Sequence, residues 1–76
     1  MEYVVSTRAE VIKLVSKLSN TLKCGERVTV FLTNEELITI VPPEAISKGL
    51  SVIDAYEHSG GIVVVIENRF SRCFNI

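Results

Sequence analysis

Apolar residues change period several times along the 76-residue chain, and each change marks an element. Glu2-Tyr3-Val4-Val5 is a short strand candidate. Thr7 with Glu10 three residues later forms a capping box, the sequence signature of a helix start. Val11, Leu14, Val15, Leu18 and Leu22 then recur at spacings of three and four. They make one apolar stripe, while Lys13, Ser16, Lys17 and Asn20 face the other way. Lys23 and Gly25 suit the helix end. The period next drops to two: Val28, Val30 and Leu32 alternate with Arg27, Thr29 and Phe31. Thr33 to Glu36 is a polar turn. Leu37 to Val41 is expected as a second strand, so Arg27–Val41 reads as an antiparallel hairpin closed off by Pro42 and Pro43.

A second helix is expected from Pro43 to His58, with Ile46, Gly49, Leu50, Ile53 and Tyr56 or Glu57 along one side. Gly49 would cost such a helix about 1 kcal/mol, which close approach to a strand would explain. Gly60-Gly61 ends it. Ile62 to Ile66 is apolar at every position, the pattern of a strand covered on both faces. In the tail, Asn68-Arg69 reads as a turn. Phe70, Arg72, Phe74 and Ile76 alternate with polar positions and offer an extra C-terminal strand.

The resulting order, β-α-β-β-α-β in one domain spanning 1–76, predicts the α+β class. Its usual form is a ferredoxin-like sandwich, two helices on one face of an antiparallel sheet whose first and third strands are central. The other face of the sheet is then open and should carry polar residues. Leu37, Ile38, Ile40 and Val41 break that rule, as does the run Ile62–Ile66. Uncovered apolar surface marks a contact. Phe31, Ile38, Ile40, Val63 and Val65 are therefore the expected homodimer interface, symmetric pairs being the commonest oligomers. The alternative cover is the tail, through Phe70 and Phe74.

Composition narrows the function classes. At 47% hydrophobic the chain is too apolar for disorder. Eight basic against nine acidic residues leave a formal charge of −1, which argues against a uniformly basic nucleic-acid tail. No apolar run approaches the roughly 20 residues of a membrane helix, and Glu2 stands where a secretory leader would be basic. The expectation is a soluble cytoplasmic protein without membrane contact. Cys24 and Cys73 are far apart and belong to no Cys/His cluster, so no protein-ligated metal or other cofactor is expected and both thiols are expected to be reduced, with a disulfide between them as the alternative.

Candidate chemistry is sparse. Asp54 and His58, four apart on the expected helix, could form an acid–base pair, yet no nucleophile stands near them in sequence. A solvated pair fits better. Gly60-Gly61 follows a helix, whereas phosphate loops precede one. Glu35, Glu36 and Glu67 lack calcium-loop spacing. Arg8, Arg69 and Arg72, with Phe70 between the last two, are the set that could hold a nucleic-acid backbone; Arg27 adds a fourth arginine. An RNA-recognition module would need aromatics on its central strands. Leu37–Val41 has none and the first strand has only Tyr3.

Glu44-Ala45-Ile46-Ser47-Lys48 resembles a stretch of the Alba family of archaeal chromatin proteins. The resemblance implies a small α/β dimer that binds DNA and RNA. Ser6-Thr7-Arg8-Ala9 replaces that family's basic loop, the strand at Leu37–Val41 would be extra, and the net charge differs. The functional expectation is a non-enzymatic interaction or regulatory module that homodimerises through its sheet. A nucleic-acid binder using Arg8, Arg69 and Arg72 is the alternative. A small-molecule sensor, with its ligand between helices and sheet, is a third.

Overall fold

A computed structural model of the chain describes residues 2–69. The fold is α+β: two helices and a four-stranded mixed sheet. Strand β1 (Glu2–Val5) leads into helix α1 (Arg8–Thr21), then strand β2 (Arg27–Leu32). A 3₁₀ turn (Glu35–Thr39) and helix α2 (Val41–Ser47) follow, and strands β3 (Ser51–His58) and β4 (Gly61–Glu67) complete the order. The strands lie side by side as β1-β2-β4-β3. β1 runs parallel to β2, and β4 is antiparallel to both β2 and β3.

Helix α1 begins as the capping box requires. Thr7 Oγ1 accepts from Glu10 N at 3.2 Å, while the Glu10 carboxylate accepts from Ser6 N at 2.7 Å and Thr7 N at 3.0 Å. The Ser6 bond is the largest influence on the Glu10 carboxyl and outweighs desolvation, the next; with the two weaker Thr7 bonds it holds the group below its ordinary pKa. A folded pKa below the unfolded one means the carboxylate stabilises at neutral pH and ceases to do so as pH falls through the folded value. Glu10→Ala should therefore lower the thermal midpoint slightly at pH 7, with a deficit that shrinks on acidification. A melting series from pH 7 to pH 3 checks this.

The α1 stripe, Val11, Val15, Leu18 and Leu22, packs with Val5, Val28, Val30, Leu32, Val64 and Ile66 from one face of the sheet. Those strand residues alternate with outward ones, so both helices lie on the same side. Val41, Ala45 and Leu50 complete this core.

Three expectations are corrected within this frame. Leu37–Val41 is not a strand. Asn34 caps the 3₁₀ turn by accepting from Glu36 N at 3.0 Å, and Leu37, Val41 and Ala45 then fall at helical spacing, all buried. Pro42 and Pro43 occupy the first turn of α2, where an N–H is not needed.

The second helix, expected from Pro43 to His58, stops at Ser47. Gly49 is not inside it but just beyond it, with φ +81°. Leu50 N donates to Ala45 O at 2.8 Å and Gly49 N to Ile46 O at 3.1 Å, the paired bonds of a Schellman closure that favours glycine. Residues 51–58, freed from the helix, form β3.

Finally, the sheet is mixed and not wholly antiparallel, with β2 and β4 as its central strands, not the first and third. Ile62–Ile66 does run through the middle, between β2 and β3, in keeping with its unbroken apolar character. The expected tail strand, with Phe70, Arg72, Phe74 and Ile76, lies outside the described residues.

Candidate interaction surface

Strand register builds the face turned away from the helices. Val4 sits beside Phe31, Phe31 opposite Val63, and Val63 opposite Tyr56. These four form one apolar row crossing all four strands. The next row is Glu2, Thr29, Val65 and Asp54; beyond it lie Arg27, Glu67 and Ser51. No helix of the described residues covers this face. Val4 is 65% exposed and Tyr56 50%, whereas Val63, enclosed between its neighbours, is only 7% exposed. An open concavity of about 450 Å³ lies along the row, bordered by Val4, Phe31, Tyr56 and Val63 with Glu2 and His58 at its margin.

Gly61 shapes one end of this surface. A Cβ there would come 2.6 Å from Phe31 Cζ and would collide with the Leu32 carbonyl oxygen. The Phe31 ring therefore lies close against strand β4 where a side chain would stand. By contrast, the void between α1 and the sheet is about 10 Å³, room for one water at most. A ligand between helices and sheet would have no space there.

The sequence-predicted interface residues divide. Phe31, Val63 and Val65 are on the open face. Ile38 and Ile40 are not: they lie in the 3₁₀ turn and at the start of α2, half-buried against the helix-side core. With Leu37–Val41 no longer a strand, they have no route to the sheet surface. Val4 and Tyr56 take their place. Neither could be assigned from local pattern, since the row exists only once the strand order is known.

Arg8 and Arg69 are not brought together. Arg8 opens α1, just past the Val5–Leu32 end of the sheet, whereas Arg69 follows Glu67 at the end marked by Arg27. The six residues of β2 separate them, a length of about 20 Å. Arg27 and Arg69 both reach the Glu67 carboxylate, at 3.4 and 3.5 Å, so their charge is partly balanced. Arg72 lies outside the described residues. A further cation, Lys17, sits 5.7 Å from the centre of the Tyr3 ring, on the helix side.

Asp54 and His58 cannot act as a helical pair. They stand on the outer face of β3, four strand residues apart, or about 13 Å. Gly60 closes the β3–β4 hairpin rather than a helix. Among the described residues no group of three His, Cys, Asp or Glu is gathered as a metal site, and no helix is long and apolar enough to cross a membrane. Cys24, expected as a free thiol, is disulfide-bonded; Cys73, the other cysteine, lies outside the described residues.

Sequence reasoning missed one further residue. Asn68 is fully buried and its amide nitrogen donates to Leu22 O, 2.8 Å away, at the end of α1. No protein-family model matches the chain, and no curated protein matches it in sequence.

Proposed function

We propose that this chain is a non-enzymatic interaction module that homodimerises through its sheet. The observation that carries the reading is the row Val4–Phe31–Val63–Tyr56, an apolar line across four strands that no element of the described fold covers. Apolar residues so aligned in a domain this small favour association, because contact with a second copy adds buried area that the monomer lacks. The perimeter is charged, with Glu2, Arg27, Glu67, Asp54 and His58 around the apolar centre, as in many protein interfaces. The nucleic-acid alternative loses support from the separation of Arg8 and Arg69.

Light scattering at tens of micromolar tests the reading, with and without a mixed-sequence oligonucleotide at low salt. The expected result is twice the 8.4 kDa chain mass, unchanged by the oligonucleotide. A monomer throughout that concentration range would overturn it. A complex formed with the oligonucleotide at low salt and lost at high salt would replace it with the phosphate-binding alternative.

A further inference from the structure

The homodimer reading leaves open which part of the sheet receives the second copy, and strand β3 answers that question. Among the described residues β3 is an edge strand, hydrogen-bonded to β4 alone. Its last five residues, Asp54 to His58, are all exposed. Edge strands with free N–H and C=O groups are templates for another strand unless something blunts them. Two features bound the template here. A register irregularity between Val52 and Asp54 interrupts the ladder on one side. On the other side Ser59 and Gly60, with φ +51° and +81°, form a two-residue turn of the primed type. What remains is a regular run of five residues whose middle is Tyr56.

The turn also fixes which backbone groups face outward. In a two-residue hairpin the flanking residues, here His58 and Gly61, exchange hydrogen bonds. Alternation along an antiparallel ladder then turns Tyr56 and Asp54 toward β4, and leaves Ala55 and Glu57 with their N–H and C=O on the free edge. An independent observation agrees. Ala55 N donates to its neighbour's Asp54 Oδ1 at 2.9 Å, a donor on an open edge satisfied by the nearest side chain.

We infer that a second copy of this chain adds its β3 antiparallel to β3, in a register centred on Tyr56, making one continuous eight-stranded sheet. The inference rests on the homodimer reading only in that two copies associate; its contact is the edge of β3, so Val4, Phe31 and Val63 stay open on the joined sheet. In this register the outward groups of Ala55 meet those of the second copy's Glu57, and the reverse, which supplies the ladder. Asp54 lies opposite the second copy's His58, twice over by symmetry. A carboxylate thus faces an imidazole on both sides of the axis, and Ala55 N exchanges its local acceptor for a backbone carbonyl. Moving the centre to Glu57 would set two glutamates face to face, which is destabilising. Moving it to Ala55 would draw the irregular Ile53 into the ladder. Centring on any odd step would oppose inward-facing groups to outward ones.

The two Tyr56 side chains meet at the two-fold axis on the outer face. The rows Val4–Phe31–Val63–Tyr56 of the two copies then join into one strip eight strands wide. Asp54 and Glu57 still protect the edge against unrelated strands, because only a copy of this strand matches them without opposing like charges.

Cross-linking separates this contact from other dimers. Residues facing each other at a non-hydrogen-bonded antiparallel position have Cα atoms about 4.5 Å apart, within the span of a disulfide. Tyr56→Cys should therefore give a covalent dimer on mild oxidation, seen on a non-reducing gel. Glu57→Cys, one residue along, should not, since its counterpart is two positions away. His58→Asp should weaken dimerisation at least tenfold by sedimentation equilibrium, and adding Asp54→His should restore it. If the wild-type chain is a monomer, both the homodimer reading and this contact fall. If it is a dimer that Tyr56→Cys does not trap and His58→Asp does not weaken, the contact is wrong while the dimer stands. Loss of that dimer in Val4→Asp would then place the second copy on the face of the sheet. Equal trapping of Tyr56→Cys and Glu57→Cys would overturn the register.

Discussion

Asn68→Leu should destabilise the fold by about 2–3 kcal/mol, although the two side chains have the same number of heavy atoms and branch at the same carbon. Asn68 is 0% exposed and belongs to no regular element, standing directly after β4. Its backbone closes a turn on the neighbouring loop: Asn68 N donates to Glu26 O at 2.9 Å, and Asn68 O accepts from Gly25 N at 2.8 Å. Leucine would keep both of these bonds. The change falls on the side chain, whose amide donates to Leu22 O across 46 residues of sequence. That carbonyl is at the C-terminal cap of α1, where the helix supplies no donor of its own.

Removing the donor leaves a buried carbonyl unsatisfied, at a cost of about 1–3 kcal/mol. Leucine's branched end must also fit where a planar amide lay, which adds to the loss. A domain of this length holds only about 4–11 kcal/mol in total, so the denaturant midpoint should fall visibly with little change in slope. Asn68→Asp discriminates further. It matches the shape but offers an oxygen to the Leu22 carbonyl, so it should be at least as damaging at pH 7. It should recover on acidification, as the buried carboxyl takes up a proton and can donate. A midpoint within 0.5 kcal/mol of wild type for the leucine variant would show that the amide bond contributes little.

Asn68 also shows where sequence reasoning stops. The beginning of the chain was legible because its signals are local. Thr7 and Glu10 cap within one turn, the stripe Val11–Val15–Leu18–Leu22 lies on one helix, and Val28, Val30 and Leu32 alternate on one strand. The unbroken run Ile62–Ile66 was legible as a strand, but not its place: the expected order, with the first and third strands central, put it at an edge, whereas it lies between β2 and β3. Residues 37–58 were misread because short apolar runs satisfy two periods at once. Leu37, Val41 and Ala45 carry a helical spacing that Ile38 and Ile40 disguise as a strand. Gly49 after Lys48 is a helix-stop signal, and the β-branched pair Val52-Ile53 follows it, but an apolar stripe drawn through Gly49 conceals both. The candidate surface was legible only in part for a different reason. Phe31, Val63 and Val65 follow from alternation within their own strands. Val4 and Tyr56 join them only through the order β1-β2-β4-β3, and that same order keeps Arg8 apart from Arg69. The partner of Asn68 is equally a product of tertiary structure, with no mark in its neighbours.

Gly61→Ala should cost about 2 kcal/mol and Gly61→Val about 3 kcal/mol, values at the upper end for forcing atoms into a packed site. The reason is contact. An added Cβ would meet two obstacles, the Phe31 ring, with Cζ at 2.6 Å and Cε1 at 2.9 Å, and the Leu32 carbonyl oxygen. These obstacles differ in kind. The ring can swing outward, since Phe31 is only half-buried on the open face. The carbonyl belongs to the backbone of β2, whose Leu32 pairs with Ile62, the residue after Gly61. It can move only if the two central strands separate at that end.

A double-mutant cycle tells the two apart. If the ring carried the clash, Phe31→Ala would absorb most of the Gly61→Ala cost. If the carbonyl carries it, as expected, the two costs should add within about 0.5 kcal/mol. Gly60→Ala is the contrast, because nothing stands within 4 Å of a Cβ there and only its φ of +81° resists substitution. Its cost should be about 1–2 kcal/mol, and it should leave the resonances of Phe31 unshifted, whereas Gly61→Ala should shift them strongly. A Gly61→Ala protein as stable as wild type, with unmoved Phe31 resonances, would mean that β2 and β4 lie further apart at this end than the structure places them. The Phe31 ring would then not be held against β4 as the open face requires.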